Sequence, residues 1–111
     1  MDELLEHLDK SKLGVFEPSE LNEVILMVYN IIRRSVRDKC DFLTLTPTHF
    51  VLHKEGCSVN RFPVDRPKPT MSFREALKRI LDRDEVVRRY LHLVAETPEE
   101  ISYQIVLEET S

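Results

Sequence analysis

A small α+β domain, with one apolar helix packed on a two- or three-stranded antiparallel sheet and a C-terminal helical segment, is the fold this sequence predicts. Three observations predict it. From residue 19 to 37, apolar side chains recur at the three- and four-residue steps of a helix. Between Asp41 and Phe62 the texture turns to β-favouring runs, split by Thr46-Pro47 and by Lys54-Glu55-Gly56. Residues 72–94 return to a helical period, and Ile101 to Leu107 then alternate as a strand does. With 111 residues, 41% of them apolar and only two glycines, the chain is a single globular unit able to bury a core.

In order along the chain, residues 1–18 read as a short helix and its connector. Leu4, Leu5 and Leu8 share one side of that helix, Gly14 breaks the connector, and Val15 and Phe16 anchor it. The central helix, 19–37, takes Ser19 as its N-cap, with Glu20 and Glu23 near the positive end of the dipole and Arg33, Arg34 and Arg37 near the negative end. It is apolar nearly all round: between Val24 and Ile32 only Asn30 is polar. Such a helix must be covered on more than one side. Either the rest of the chain wraps it, or a partner covers what the chain leaves bare.

Residues 41–62 read as a hairpin region, with Lys54-Glu55-Gly56 as its turn; Thr46-Pro47 either interrupts the strands or caps a short helical turn. Pro63, Pro67 and Pro69 make 63–71 a stiff linker. Ser72 with Glu75, and Asp82 with Glu85, form two capping boxes. The segment 72–94 is thus one kinked helix or two nearly continuous ones, with Phe73, Ala76, Leu77, Ile80, Val87, Tyr90, Leu91 and Val94 in one phase. Thr97-Pro98-Glu99-Glu100 has the look of a helix start, but the alternation from Ile101 to Leu107 predicts a strand added to the hairpin.

The net charge of −4 is unevenly laid out: residues 1–25 carry −5, residues 26–95 carry +6 and residues 96–111 carry −5. A chain of this kind either pairs its charges internally or offers a basic patch to an acidic partner. Two cysteines make no disulfide framework, the acidic start lacks the form of a signal peptide, and no apolar run reaches membrane-spanning length. The expectation is an intracellular protein of cytoplasm or nucleus.

Chemistry is hard to find. Cys40, His49, His53 and Cys57 are zinc-binding types, but on one strand His49 and His53 would stand about 13 Å apart, too far for a single ion. The chain lacks a glycine-rich phosphate loop and a nucleophile elbow. The residues predict no enzyme, no cofactor and no metal.

The block from Leu4 to Phe62 resembles the opening of the KIND domain, the non-catalytic relative of the protein-kinase C-lobe. There too a short helix and connector precede an apolar helix, and a strand, a proline turn and a hairpin follow, as in LTPTHFVLHKEGCSVNRF here. Where kinases carry a catalytic aspartate before the proline, this chain has Leu45 and Thr46; His49 stands in place of a metal-binding asparagine, and no DFG follows Phe62. The resemblance implies a binding module without phosphotransfer.

The function expected is therefore a protein–protein interaction module, an adaptor or complex subunit. It would bind another protein or a second copy through an apolar helix face built from Leu26, Met27, Tyr29 and Ile31. The alternative is nucleic-acid binding through Arg33, Arg34, Arg37, Lys78, Arg79, Arg88 and Arg89.

Overall fold

The computed structural model describes residues 2–10, 16–17, 19–55, 57–63 and 72–106. Among them the elements run α1 (Asp2–Lys10), α2 (Glu23–Arg37), β1 (Phe42–Leu45), β2 (His49–Lys54), β3 (Cys57–Pro63), α3 (Phe73–Arg83), α4 (Glu85–Tyr90), β4 (Leu91–Glu96) and β5 (Ile101–Ile105). The domain is α+β, but the two- or three-stranded sheet must be corrected. Five strands pair antiparallel throughout, in the order β3-β2-β1-β5-β4.

The correction has a local cause. Leu91 and Val94 keep the helical phase of Val87 and Tyr90, so the sequence reads as helix to residue 94. The chain instead leaves the helix at Tyr90, and Leu91, Leu93 and Glu96 pair with Ile105, Tyr103 and Ile101 of β5. A pairing partner ten residues downstream outweighs local periodicity. The register slips between Leu93 and Ala95, leaving Val94 in a bulge. Both Leu93 and Val94 are exposed as a result.

The helix boundaries show what sets each end. The cap of α2 is Asn22 rather than Ser19: the Asn22 side chain accepts from the Val24 and Ile25 N–H groups at 2.9 and 3.0 Å. Asn and Ser cap equally well, and Ser19 and Glu20 lie in a turn from which Glu20 reaches Arg83. At the other end Lys39 takes the left-handed conformation (φ 56°), which lets the Cys40 N–H reach the Ser35 carbonyl and close the helix. In the C-terminal segment Ser72 caps α3 through the Glu75 N–H, and Asp84 accepts from the Val86 and Val87 N–H groups to start α4. The 72–94 segment is therefore two helices followed by a strand.

Two Thr-Pro steps close two of the hairpins in the same way. Thr46 N–H donates to the His49 carbonyl while its hydroxyl accepts the His49 N–H, joining β1 to β2. Thr97 and Glu100 repeat the arrangement between β4 and β5. Neither Thr-Pro starts a helix. Of the predicted turn Lys54-Glu55-Gly56, Lys54 ends β2 and Glu55 follows it in a turn, while Gly56 lies outside the described residues.

Alternation then sorts the sheet into two faces. Leu43, Leu45, Phe50, Leu52, Ile101, Tyr103 and Ile105 share one buried cluster with side chains from all four helices. Phe42, Thr44, Val51, His53, Ser102 and Gln104 occupy the opposite face, where cross-strand neighbours pair them. The result is a two-layer domain, helices on one side of a sheet. Within it α2 contributes Val24, Ile25, Val28, Tyr29, Ile31, Ile32 and Val36 to the interior, each fully buried apolar side chain worth roughly 1.5–3 kcal/mol.

Candidate functional site

The two sides of α2 differ sharply, and the site follows from the difference. One side closes on a buried carboxylate. Asp84 is 1% exposed, accepts the Tyr29 hydroxyl at 2.9 Å and meets His7 Nε2 at 2.8 and 3.0 Å, besides capping α4. A buried charge is tolerable only when its oxygens are satisfied this fully. Burial, then the adjacent Asp84 charge, holds the Tyr29 phenol well above its ordinary range. This node ties α1, α2 and α4 together, and the Phe16 ring extends it by packing edge-on against Tyr29.

Among the described residues the other side of α2 is open. Met27, Asn30, Ile31, Arg33, Arg34 and Arg37 line a groove of about 490 Å³ whose far wall is Phe62 and Pro63 of β3. Steps of three and four residues put Met27, Asn30, Ile31, Arg34 and Arg37 in one stripe, about 15 Å long at 1.5 Å per residue. The stripe is graded. Met27, Ile31 and Phe62 make its apolar end, and the arginines crowd its last turn. Arg34 is held by Asp38 at 3.0 Å, one helical turn on, with both side chains part-exposed. Arg37 is exposed and has no ion-pair partner among the described residues.

The residues singled out from the sequence fall on both sides of this divide. Met27 is half-buried and lines the groove; Ile31 lines it too, although only 4% exposed. Tyr29, expected to face a partner, is turned inward at 0% exposure because its hydroxyl completes the Asp84 node. Leu26 is half-buried and lies outside the groove lining. Arg33, Arg34 and Arg37 all line the groove.

The basic residues of α3 and α4 form no such cluster. Lys78 and Arg74 both reach Glu96, and Arg74 also donates to the Thr97 and Pro98 carbonyls. Arg79 pairs with Glu75, and Arg88 with Glu85 and with the Leu81 and Asp82 carbonyls. Arg83 binds Glu20 and lies 5.2 Å from the Phe16 ring centre. Arg89 alone of the predicted C-terminal set is exposed without a side-chain partner among the described residues. The Lys78 hydrogen bond, chiefly, lowers the Glu96 carboxyl below its usual range, and the Arg83 hydrogen bond does the same for Glu20.

His49 and His53 lie on the single strand β2, His53 beside Phe42, and the Cys40 thiol is buried, which pushes its pKa up. The Cys57 side chain, Leu107 and linker residues 64–71 lie outside the described residues. Among the described residues no three metal-ligating side chains gather, and no helix is long and apolar enough to cross a membrane.

The sequence singles out Met27 and Ile31 for one reading and Arg33, Arg34 and Arg37 for the other, and neither reading includes Asn30, Phe62 or Pro63. Proline at the end of a β-favouring run is compatible with an edge strand, but that β3 is an edge follows only from the strand order. No family model, curated protein or solved structure matches the chain, and the site is therefore argued from its own geometry.

Proposed function

We propose that this domain is a protein-interaction module whose α2–β3 groove takes a segment of another protein carrying apolar and acidic side chains. One observation carries the reading: a graded groove, with Met27, Ile31 and Phe62 at one end and Arg33, Arg34 and Arg37 at the other. The apolar end supplies burial, and the arginines supply charge complementarity and the forked geometry that suits carboxylates. A volume near 490 Å³ falls in the range of sites that enclose a few side chains of a ligand.

The resemblance of Leu4 to Phe62 to the KIND opening points the same way, toward binding without catalysis. The basic residues of α3 do not add a second surface to this reading, because they reach separate partners, Glu96, Glu75 and Glu20, and line no common groove with α2. A random-peptide display library tests the proposal. Selected on the wild-type domain, it is expected to yield peptides that combine apolar and acidic residues. Those peptides should lose binding to a Met27→Glu, Arg37→Glu double variant. Recovery of no peptides, or of peptides that bind both proteins equally, would refute it.

A further inference from the structure

We infer that the partner segment binds in extended form, as an added strand on the outer edge of β3; this rests on the groove being the binding surface. The backbone of β2 fixes which way the groups of β3 point. The His49 carbonyl accepts the Thr46 N–H at 2.8 Å, and the His53 carbonyl accepts the Asp41 N–H at 2.8 Å, so both residues face β1. Successive residues of a strand turn their hydrogen-bonding groups to opposite sides. Phe50 and Leu52 therefore face β3, where they pair with Phe62 and Asn60.

Arg61 and Pro63 are left with their backbone groups directed away from the sheet. Pro63 itself supports the assignment: a proline is tolerated in a strand where its missing N–H would have faced outward. The Arg61 N–H and carbonyl and the Pro63 carbonyl thus form an edge beyond which no described strand lies. That edge runs beside the groove that Phe62 and Pro63 wall.

An edge strand next to an apolar trough is the arrangement that accepts a peptide by strand addition, with main-chain hydrogen bonds for affinity and alternate side chains for specificity. The opposite edge of the sheet is ill suited to the same use. Each edge carries one bulge, at Val94 in β4 and at Val59 in β3, but on β4 the edge residue Glu96 is also tied to Lys78 and Arg74. On β3 the usable edge is short, because Pro63 offers no donor at one end and the bulge at Val59 interrupts the strand at the other. Binding then depends on every second side chain of the added strand entering the groove, apolar ones toward Met27 and Phe62 and acidic ones toward Arg34 and Arg37. Positions four residues apart on such a strand lie about 13 Å apart, close to the length of the groove stripe.

Two peptides of identical composition test the mode. The probe Leu-Thr-Leu-Thr-Glu-Thr-Glu-Thr puts leucine and glutamate on one face of a strand. The probe Leu-Thr-Thr-Leu-Glu-Thr-Thr-Glu puts them on one face of a helix. Each is titrated, in both chain directions, against the full chain and its Arg61→Ala and Arg61→Pro variants, with circular dichroism to verify folding. The strand-patterned probe is expected to bind more tightly. Arg61→Pro is expected to weaken it about fivefold to tenfold beyond Arg61→Ala, the loss of one backbone hydrogen bond. A strand probe N-methylated at alternate amides should lose as much in one of its two phases, which keeps the test independent of how the proline variant folds. Equal binding of the two patterns, or indifference to both backbone changes, overturns strand addition and leaves the groove standing. If neither probe binds at millimolar concentration, the groove reading fails and this inference fails with it.

Discussion

The two sides of α2 put the same kinds of residue to different ends. Toward α4, a phenol, an imidazole and a carboxylate close on one another until nothing is left to offer a ligand. Toward β3, an amide and three arginines surround an apolar trough that the described residues do not fill. The arginines of α3 are held by Glu96 of β4, Glu75 of α3 itself and Glu20, and on the groove side Arg34 is held by Asp38. A count of basic residues therefore says little about a basic surface; what matters is where the fold gathers them.

The closed side should be the costly one to disturb. Asp84→Ala strands the Tyr29 hydroxyl, one His7 nitrogen and two N–H groups of α4, and should lower stability by about 3–5 kcal/mol in urea denaturation. A loss below about 1 kcal/mol would mean the node is incidental to the fold.

Tyr29→Phe removes one bond to a charged acceptor, and should cost about 1.5–3 kcal/mol at neutral pH. It also carries a pH signature. Because folding raises the Tyr29 pKa, the unfolded chain ionises first. The stability this phenol contributes is then present below its ordinary pKa and declines as pH rises past about 10. The phenylalanine variant should show a shallower alkaline decline, with Tyr103, itself pushed up to about 12 by burial and the Glu96 charge, responsible for part of what remains. An unchanged alkaline profile would refute the assignment.

Lys78→Ala opens an exposed pair and should cost no more than about 1 kcal/mol. The Glu20 and Glu96 carboxyls, lowered by their cations, favour the folded state above the ordinary carboxylate pKa, and that benefit fades as pH falls through their lowered values. Molar salt should shrink the Lys78→Ala effect, because exposed pairs are screened. On the open side Arg37→Ala should change stability by less than about 0.5 kcal/mol and still weaken a groove-bound peptide. A variant that leaves the fold alone but removes binding is what separates the two sides of the helix.

Much of this architecture was legible in local sequence. The α2 periodicity, the Ser72 capping box, the Asp84 break and the turn after Lys54 each rest on residues a few positions apart. The misreadings came where a distant partner decides. Leu91 to Val94 satisfy a helix as well as a strand, and only β5 makes them β4. Ser19 and Asn22 are equally good caps, and the choice depends on Glu20 finding Arg83 across the fold. Tyr29 looks like one more residue on an apolar helix until Asp84, 55 residues later, claims its hydroxyl. For the site, the arginines were visible as a cluster at a helix end, whereas the wall opposite them required knowing that β3 lies at the sheet edge.

The α2–β3 groove is the binding surface proposed for this domain. An ¹⁵N-labelled chain titrated with the strand-patterned octapeptide tests it most directly. The account predicts amide shifts that saturate at Met27, Asn30, Ile31, Arg33, Arg34, Arg37, Arg61 and Phe62, with α3 and α4 undisturbed and the effect lost in Arg37→Glu. Shifts confined to α3 and α4, or none at saturating peptide, would contradict it.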